Sequence, residues 1–118
     1  MVKEEKKFKY KFEDGVLEIK LVGEIDHHSA VAVRSDIDEL IFDLRPQKMI
    51  LDLSEISFMD SSGLGLIMGR YALIKDFGGT LSLRAPTVAV MKILTLAGME
   101  RMIKIEKSIK EEVENEKK

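Results

Sequence analysis

Cysteine is absent from the 118 residues. That removes disulfides, thiolate zinc sites and a cysteine nucleophile together. Tryptophan is absent too, and aromatics make up 6%, too few for a base-stacking platform. Charge of one sign is not in excess. The formal net charge is −2, so no global basic field attracts nucleic acid. No apolar run approaches the roughly 18 residues that a membrane-spanning helix needs. The opening Met1-Val2-Lys3-Glu4-Glu5-Lys6-Lys7 has no apolar stretch like that of a signal peptide. These absences set the expectation of a cytoplasmic protein that binds neither nucleic acid nor membrane.

What is present fits one domain over residues 1–118, with 45% hydrophobic residues for a core and 34% charged residues for a soluble surface. Lys7 to Phe12 alternates, with Phe8, Tyr10 and Phe12 on one face and lysines on the other. Asp14-Gly15 is a hairpin turn signal. Val16 to Val22 alternates again, so the first two elements predict an antiparallel hairpin. After the polar connection Gly23 to Ser29, the stripe Ala30, Val33, Ile37, Leu40, Ile41 and Leu44 predicts a helix that Pro46 stops. Met49 to Leu53 reads as a central strand covered on both faces.

A second helix follows with Leu64, Ile67, Met68, Tyr71 and Ile74 on one face, ending at Gly78-Gly79. Thr80 to Ala85 is a strand. Pro86-Thr87 opens a shorter helix with Val90, Ile93, Leu94 and Ala97 on its stripe, and Gly98 closes it. Arg101 to Ile105 is a small strand candidate. Residues 1–6 are expected to be a flexible arm, and 107–118 a charged, fraying helix or tail. The alternation predicts an α/β fold, a mixed four- to five-stranded sheet with an N-terminal hairpin and covering helices.

Met59-Asp60-Ser61-Ser62-Gly63-Leu64-Gly65 stands where a strand hands over to a helix N-terminus. Asp60 and the serines can cap free backbone N–H groups there. The same groups and the helix dipole favour a negative charge such as phosphate. A hydrolase elbow needs Gly-x-Ser-x-Gly, and its first glycine is missing before both Ser61 and Ser62. Asp26-His27-His28 offers metal-ligand types, but adjacent residues on an extended segment point oppositely and helical ligand spacing is absent. Ser62-Gly63-Leu64-Gly65 lacks the Gly-Lys-Ser/Thr ending of a phosphate loop. Two readings stay open on the residues alone. One is a plain helix cap; the other is a phosphoacceptor whose modification adds about −1.5 to −2 charges.

Gly23-Glu24-Ile25-Asp26-His27-His28-Ser29-Ala30 and the run Leu51 to Tyr71 resemble the bacterial anti-sigma factor antagonists, which carry the STAS domain. The hallmark is Ser57-Phe58-Met59-Asp60-Ser61-Ser62-Gly63-Leu64-Gly65. Asp26-His27-His28 and Gly69-Arg70-Tyr71 are similar to the branch that antagonises the anti-sigma factor of the sporulation factor sigma F. The likeness runs from the first hairpin to about Ile105, and only the charged lead Lys3 to Lys7 is longer than the family's usual start.

The resemblance implies a single STAS domain that is a switch and not an enzyme. The unphosphorylated form would bind an anti-sigma factor that is also a serine kinase, and so release the sigma factor. ATP or ADP would be bound by that partner, so this chain needs no cofactor or metal. Phosphorylation of Ser61 would end the contact, and a PP2C-type serine phosphatase would restore it. Ser62 would support the helix start. Asp26 would hydrogen-bond near Ser61 or touch the partner. His27 and Asp60 would adjoin the contact, and Gly63 and Gly65 would allow close approach. The alternatives are an antagonist in a general stress pathway and, from another class, a serine hydrolase. Monomer is the expected state.

Overall fold

The computed structural model describes residues 8–107. In chain order the elements are β1 (Phe8–Glu13), β2 (Val16–Ile25), α1 (His27–Leu44), β3 (Lys48–Met59), α2 (Ser61–Asp76), β4 (Thr80–Arg84), α3 (Val88–Leu96), a 3-10 turn at Met99–Arg101, and β5 (Lys104–Glu106). One sheet takes them in the order β1-β2-β3-β4-β5. β1 and β2 pair antiparallel, and every other neighbouring pair is parallel. The α/β expectation and the N-terminal hairpin hold. Asp14 and Gly15 both take positive φ, 53° and 79°, the turn that matches the twist of paired strands.

Each parallel step needs a crossover, and α1, α2 and α3 supply one each. The three steps run in one direction, so right-handed crossovers set all three helices on one face. The core reflects this. Leu17, Met49 and Leu81 stand in one row across β2, β3 and β4, with Ile19, Leu51 and Leu83 in the next. Both rows are buried with Val33, Ile37 and Ile41 of α1, Ile67 and Ile74 of α2, and Val90 and Leu94 of α3. The opposite face carries Glu18, Lys20, Asp52 and Arg84. Arg84 is ion-paired to Glu18, which also holds Lys11 at 3.2 Å. β3 is the central strand, and Met49 to Leu53 is covered on both faces as expected: Met49, Leu51 and Leu53 lie under the helices, and Ile50 on the other face is buried at 5% exposure with Asp52 half-buried beside it. No described helix is long and apolar enough to cross a membrane.

Several boundaries differ from the sequence reading: α1 begins at His27, inside the expected connection Gly23 to Ser29, because Asp26 caps it there. β2 continues past Val22 to Ile25, and β3 past Leu53 to Met59. Their polar residues are strand residues with one face in solvent. Tyr10 and Phe12, expected inside with Phe8, are 50% and 39% exposed, because β1 is the edge strand beyond the helical layer. α2 buries Leu66 and Arg70 along with Ile67 and Ile74, while Leu64, Met68 and Tyr71 are only half-buried. α1 packs along the Leu66–Arg70 flank and turns the buried stripe toward itself. The last strand is Lys104–Glu106, shorter than expected, because the 3-10 turn occupies its start. The arm at 1–6 and all of the tail beyond Lys107 lie outside the described residues.

Candidate functional site: paired helix starts at the ends of β2 and β3

β2 and β3 run side by side to their carboxyl ends, where Ile25 lies opposite Met59. The Asp60 N–H donates to the Ile25 carbonyl at 3.3 Å. The next residues, Asp26 and Asp60, therefore end neighbouring strands and open neighbouring helices. In a parallel sheet this end gathers the loops that carry function.

Both aspartates are N-caps in extended backbone with φ of −108°. The Asp26 carboxylate accepts from the Ser29 N–H at 2.9 Å and from the Ser29 hydroxyl at 3.1 Å. The Asp26 N–H returns a bond to that hydroxyl at 3.0 Å, completing a capping box. The Ser29 N–H and hydroxyl bonds hold the Asp26 carboxyl below the ordinary carboxylate range. These hydrogen bonds close its own cap.

Asp60 accepts from the Ser62 N–H at 2.8 Å. Ser61 is the first residue of α2. It is exposed, whereas Ser62 is half-buried. The cap therefore uses Asp60 and leaves the Ser61 hydroxyl in solvent. Neither histidine is hydrogen-bonded to Ser61 or Ser62, and no three of His, Asp and Glu converge on a metal position among the described residues. A general base for hydrolysis is not in place.

The two motif glycines do different work. A Cβ on Gly63 would lie 2.1 Å from Met59 Cγ and 2.5 Å from its Sδ, so the site needs a glycine to seat Met59 under the helix start. A Cβ on Gly65 would meet nothing within 4 Å. Gly65 faces a groove of about 240 Å³ between α1 and α2, with His27, Val31, Arg34, Ser62 and Leu66 on its walls. Val31, Arg34 and Leu66 were missing from the sequence reading. His27, Val31 and Arg34 recur at helical spacing, which is the signal that places them on one face. One turn further along, Arg70 Nε lies 2.9 Å from Asp38 Oδ1 and ties α2 to α1. Burial lowers the Arg70 pKa, with Asp38 opposing that shift and Arg34 adding to it.

The family model for the STAS domain matches residues 7–112. The anti-sigma F factor antagonist of Paenibacillus polymyxa is 40% identical over 91 residues, which cover 77% of this chain and 78% of that one. Two solved structures of SpoIIAA, an anti-sigma factor antagonist, superpose at 28% identity. The unphosphorylated form gives a TM-score of 0.75 over 93% of this chain and 96% of that one. The phosphorylated form gives 0.69 over 92% and 97%. Strand order, the hairpin and the paired helix starts thus belong to a known group, and this chain is a member of the STAS domain family, among the anti-sigma factor antagonists.

Proposed function

We propose that this chain, working as a single cytoplasmic STAS unit, antagonises the anti-sigma factor of sporulation sigma factor F and is switched by phosphorylation of Ser61. The observation that carries the reading is the exposed Ser61 hydroxyl at the first position of α2, with the cap supplied by Asp60. The 40% identity to a sigma F relative favours this branch. A SpoIIAA structure in phosphorylated form supports a phosphate on this fold.

In this reading the unmodified face around Asp26, His27, Asp60, Ser61, Ser62, Gly63 and Gly65 meets an anti-sigma factor that is a serine kinase. The kinase binds ATP and transfers its γ-phosphoryl group to Ser61 Oγ; the hydroxyl proton leaves and ADP remains on the partner. The product adds about −1.5 to −2 charges beside Asp60. The α2 dipole tolerates that charge, so the domain stays folded. A partner surface shaped to the bare serine meets bulk and repulsion and lets go. On a PP2C-type phosphatase water attacks the phosphorus, the P–Oγ bond breaks, inorganic phosphate leaves, and Ser61 Oγ regains a proton as the free hydroxyl.

Binding of the cognate anti-sigma kinase to three forms tests this. Unmodified protein and Ser61→Ala should bind alike. Ser61→Asp should bind at least about tenfold more weakly, since each 1.4 kcal/mol is a factor of ten. Equal binding by Ser61→Asp contradicts the charge-based release.

A further inference from the structure

The groove beside Ser61 holds a cation with no counter-charge among the described residues. On α1 the usual partner for Arg34 is Asp38, four residues on. Asp38 is taken by Arg70 at 2.9 Å, and the two guanidinium groups repel each other. Arg34 joins no ion pair among the described residues, and its side chain is exposed at the groove. Among the described residues no carboxylate lines that groove. His27 and Ser62 also line the groove, and its apolar part is Val31, 48% exposed, facing the edge of the buried Leu66, with open space over Gly65.

We infer that this groove is a docking slot for a partner segment presenting an aliphatic side chain beside an Asp or Glu, with Arg34 receiving the carboxylate. The aliphatic group lies against Val31 and Leu66 over Gly65. The carboxylate lies one helical turn along α1, about 5 Å away, where a bidentate guanidinium contact forms. The inference rests on the proposed function, in which the partner is the anti-sigma kinase. It adds a reason for release. Ser62 lines the groove, so a phosphate on the adjacent Ser61 repels the incoming carboxylate and competes for the field of Arg34.

Titration of the cognate anti-sigma kinase with bound ADP tests the slot, using unmodified protein, Arg34→Glu, Arg34→Gln, Arg34→Lys and Lys92→Glu. Lys92 is exposed on α3, so it makes the same charge change elsewhere. Arg34→Glu should weaken binding at least about tenfold and Arg34→Lys by an intermediate factor, because an ammonium keeps the charge but not the bidentate fork, with Lys92→Glu within about threefold of the parent. Affinity should depend less steeply on salt in Arg34→Gln than in the parent. Melting temperatures should not fall, because Arg34 joins no ion pair among the described residues and its charge repels Arg70. Binding that ignores Arg34→Glu overturns the slot and leaves the proposed function standing. No binding by the unmodified protein overturns both. A free dimer that Arg34→Glu dissolves assigns the groove to a second copy and overturns the slot.

Discussion

Asp26 and Asp60 are equivalent caps on neighbouring helices, set side by side by the 3.3 Å bond from the Asp60 N–H to the Ile25 carbonyl. The pairing points two sets of free helix N–H groups out of the same end of the sheet. One cap is closed reciprocally by Ser29; the other leaves Ser61 unoccupied. This asymmetry separates a structural start from a modifiable one.

The closed cap has a pH signature. Asp26 has a lowered carboxyl pKa in the folded state, chiefly through the Ser29 N–H. Its contribution to stability is complete above about pH 4, the unfolded Asp value. It is lost as pH falls from there through the lowered folded value. Glu18 is lowered as well, first by its bond to Arg84, so the acid limb has two sources. Asp26→Asn keeps a capping oxygen but no charge. Its stability gap to the parent should shrink as pH falls below about 4 in urea unfolding. A gap constant with pH contradicts the charged-cap account.

Gly63 and Gly65 should respond oppositely to alanine. Gly63→Ala forces its Cβ into Met59 and should cost about 1–3 kcal/mol, read as a lower urea midpoint. Gly65→Ala enters open space and should gain about 0.5–1 kcal/mol of helix preference. It also narrows the groove, so kinase binding should weaken while stability rises. Parallel changes in stability and binding contradict the separation of roles.

Arg70 and Asp38 hold the α1–α2 spacing that forms the groove. Arg70→Ala leaves Asp38 only the exposed Arg34 on its own helix and empties the buried guanidinium position, and should cost about 2 kcal/mol. That is less than for a fully buried pair, since the Asp38 side chain is 28% exposed. Arg70→Met combined with Asp38→Leu should recover most of the loss, because neither charge then needs a partner. Urea unfolding of the three proteins decides it; an undiminished Arg70→Ala contradicts the clamp.

Local patterning carried much of this fold. Asp14-Gly15 set the hairpin, the alternation of short strands and apolar stripes set the α/β order, and Asp60-Ser61 marked the site. The far ends of β2 and β3 were not legible. Gly23-Glu24 and Ser54-Glu55 look like loop residues, yet Gly23, Glu24 and Glu55 pair in the β2–β3 ladder, and Ser54 falls at one of its register shifts. Polar side chains there erase the apolar signal. Arg70 was legible as part of a motif but not as the partner of Asp38, because nothing local links side chains on separate helices. The groove needed both helices in place before Val31 and Leu66 faced each other.

The most direct measurement is site mapping after incubation with the cognate anti-sigma kinase and ATP. The account predicts one phosphate per chain, located on Ser61 and absent from Ser61→Ala. Phosphate on Ser62, or binding with no phosphate incorporated, would contradict the claim that the exposed serine at the start of α2 is the switch.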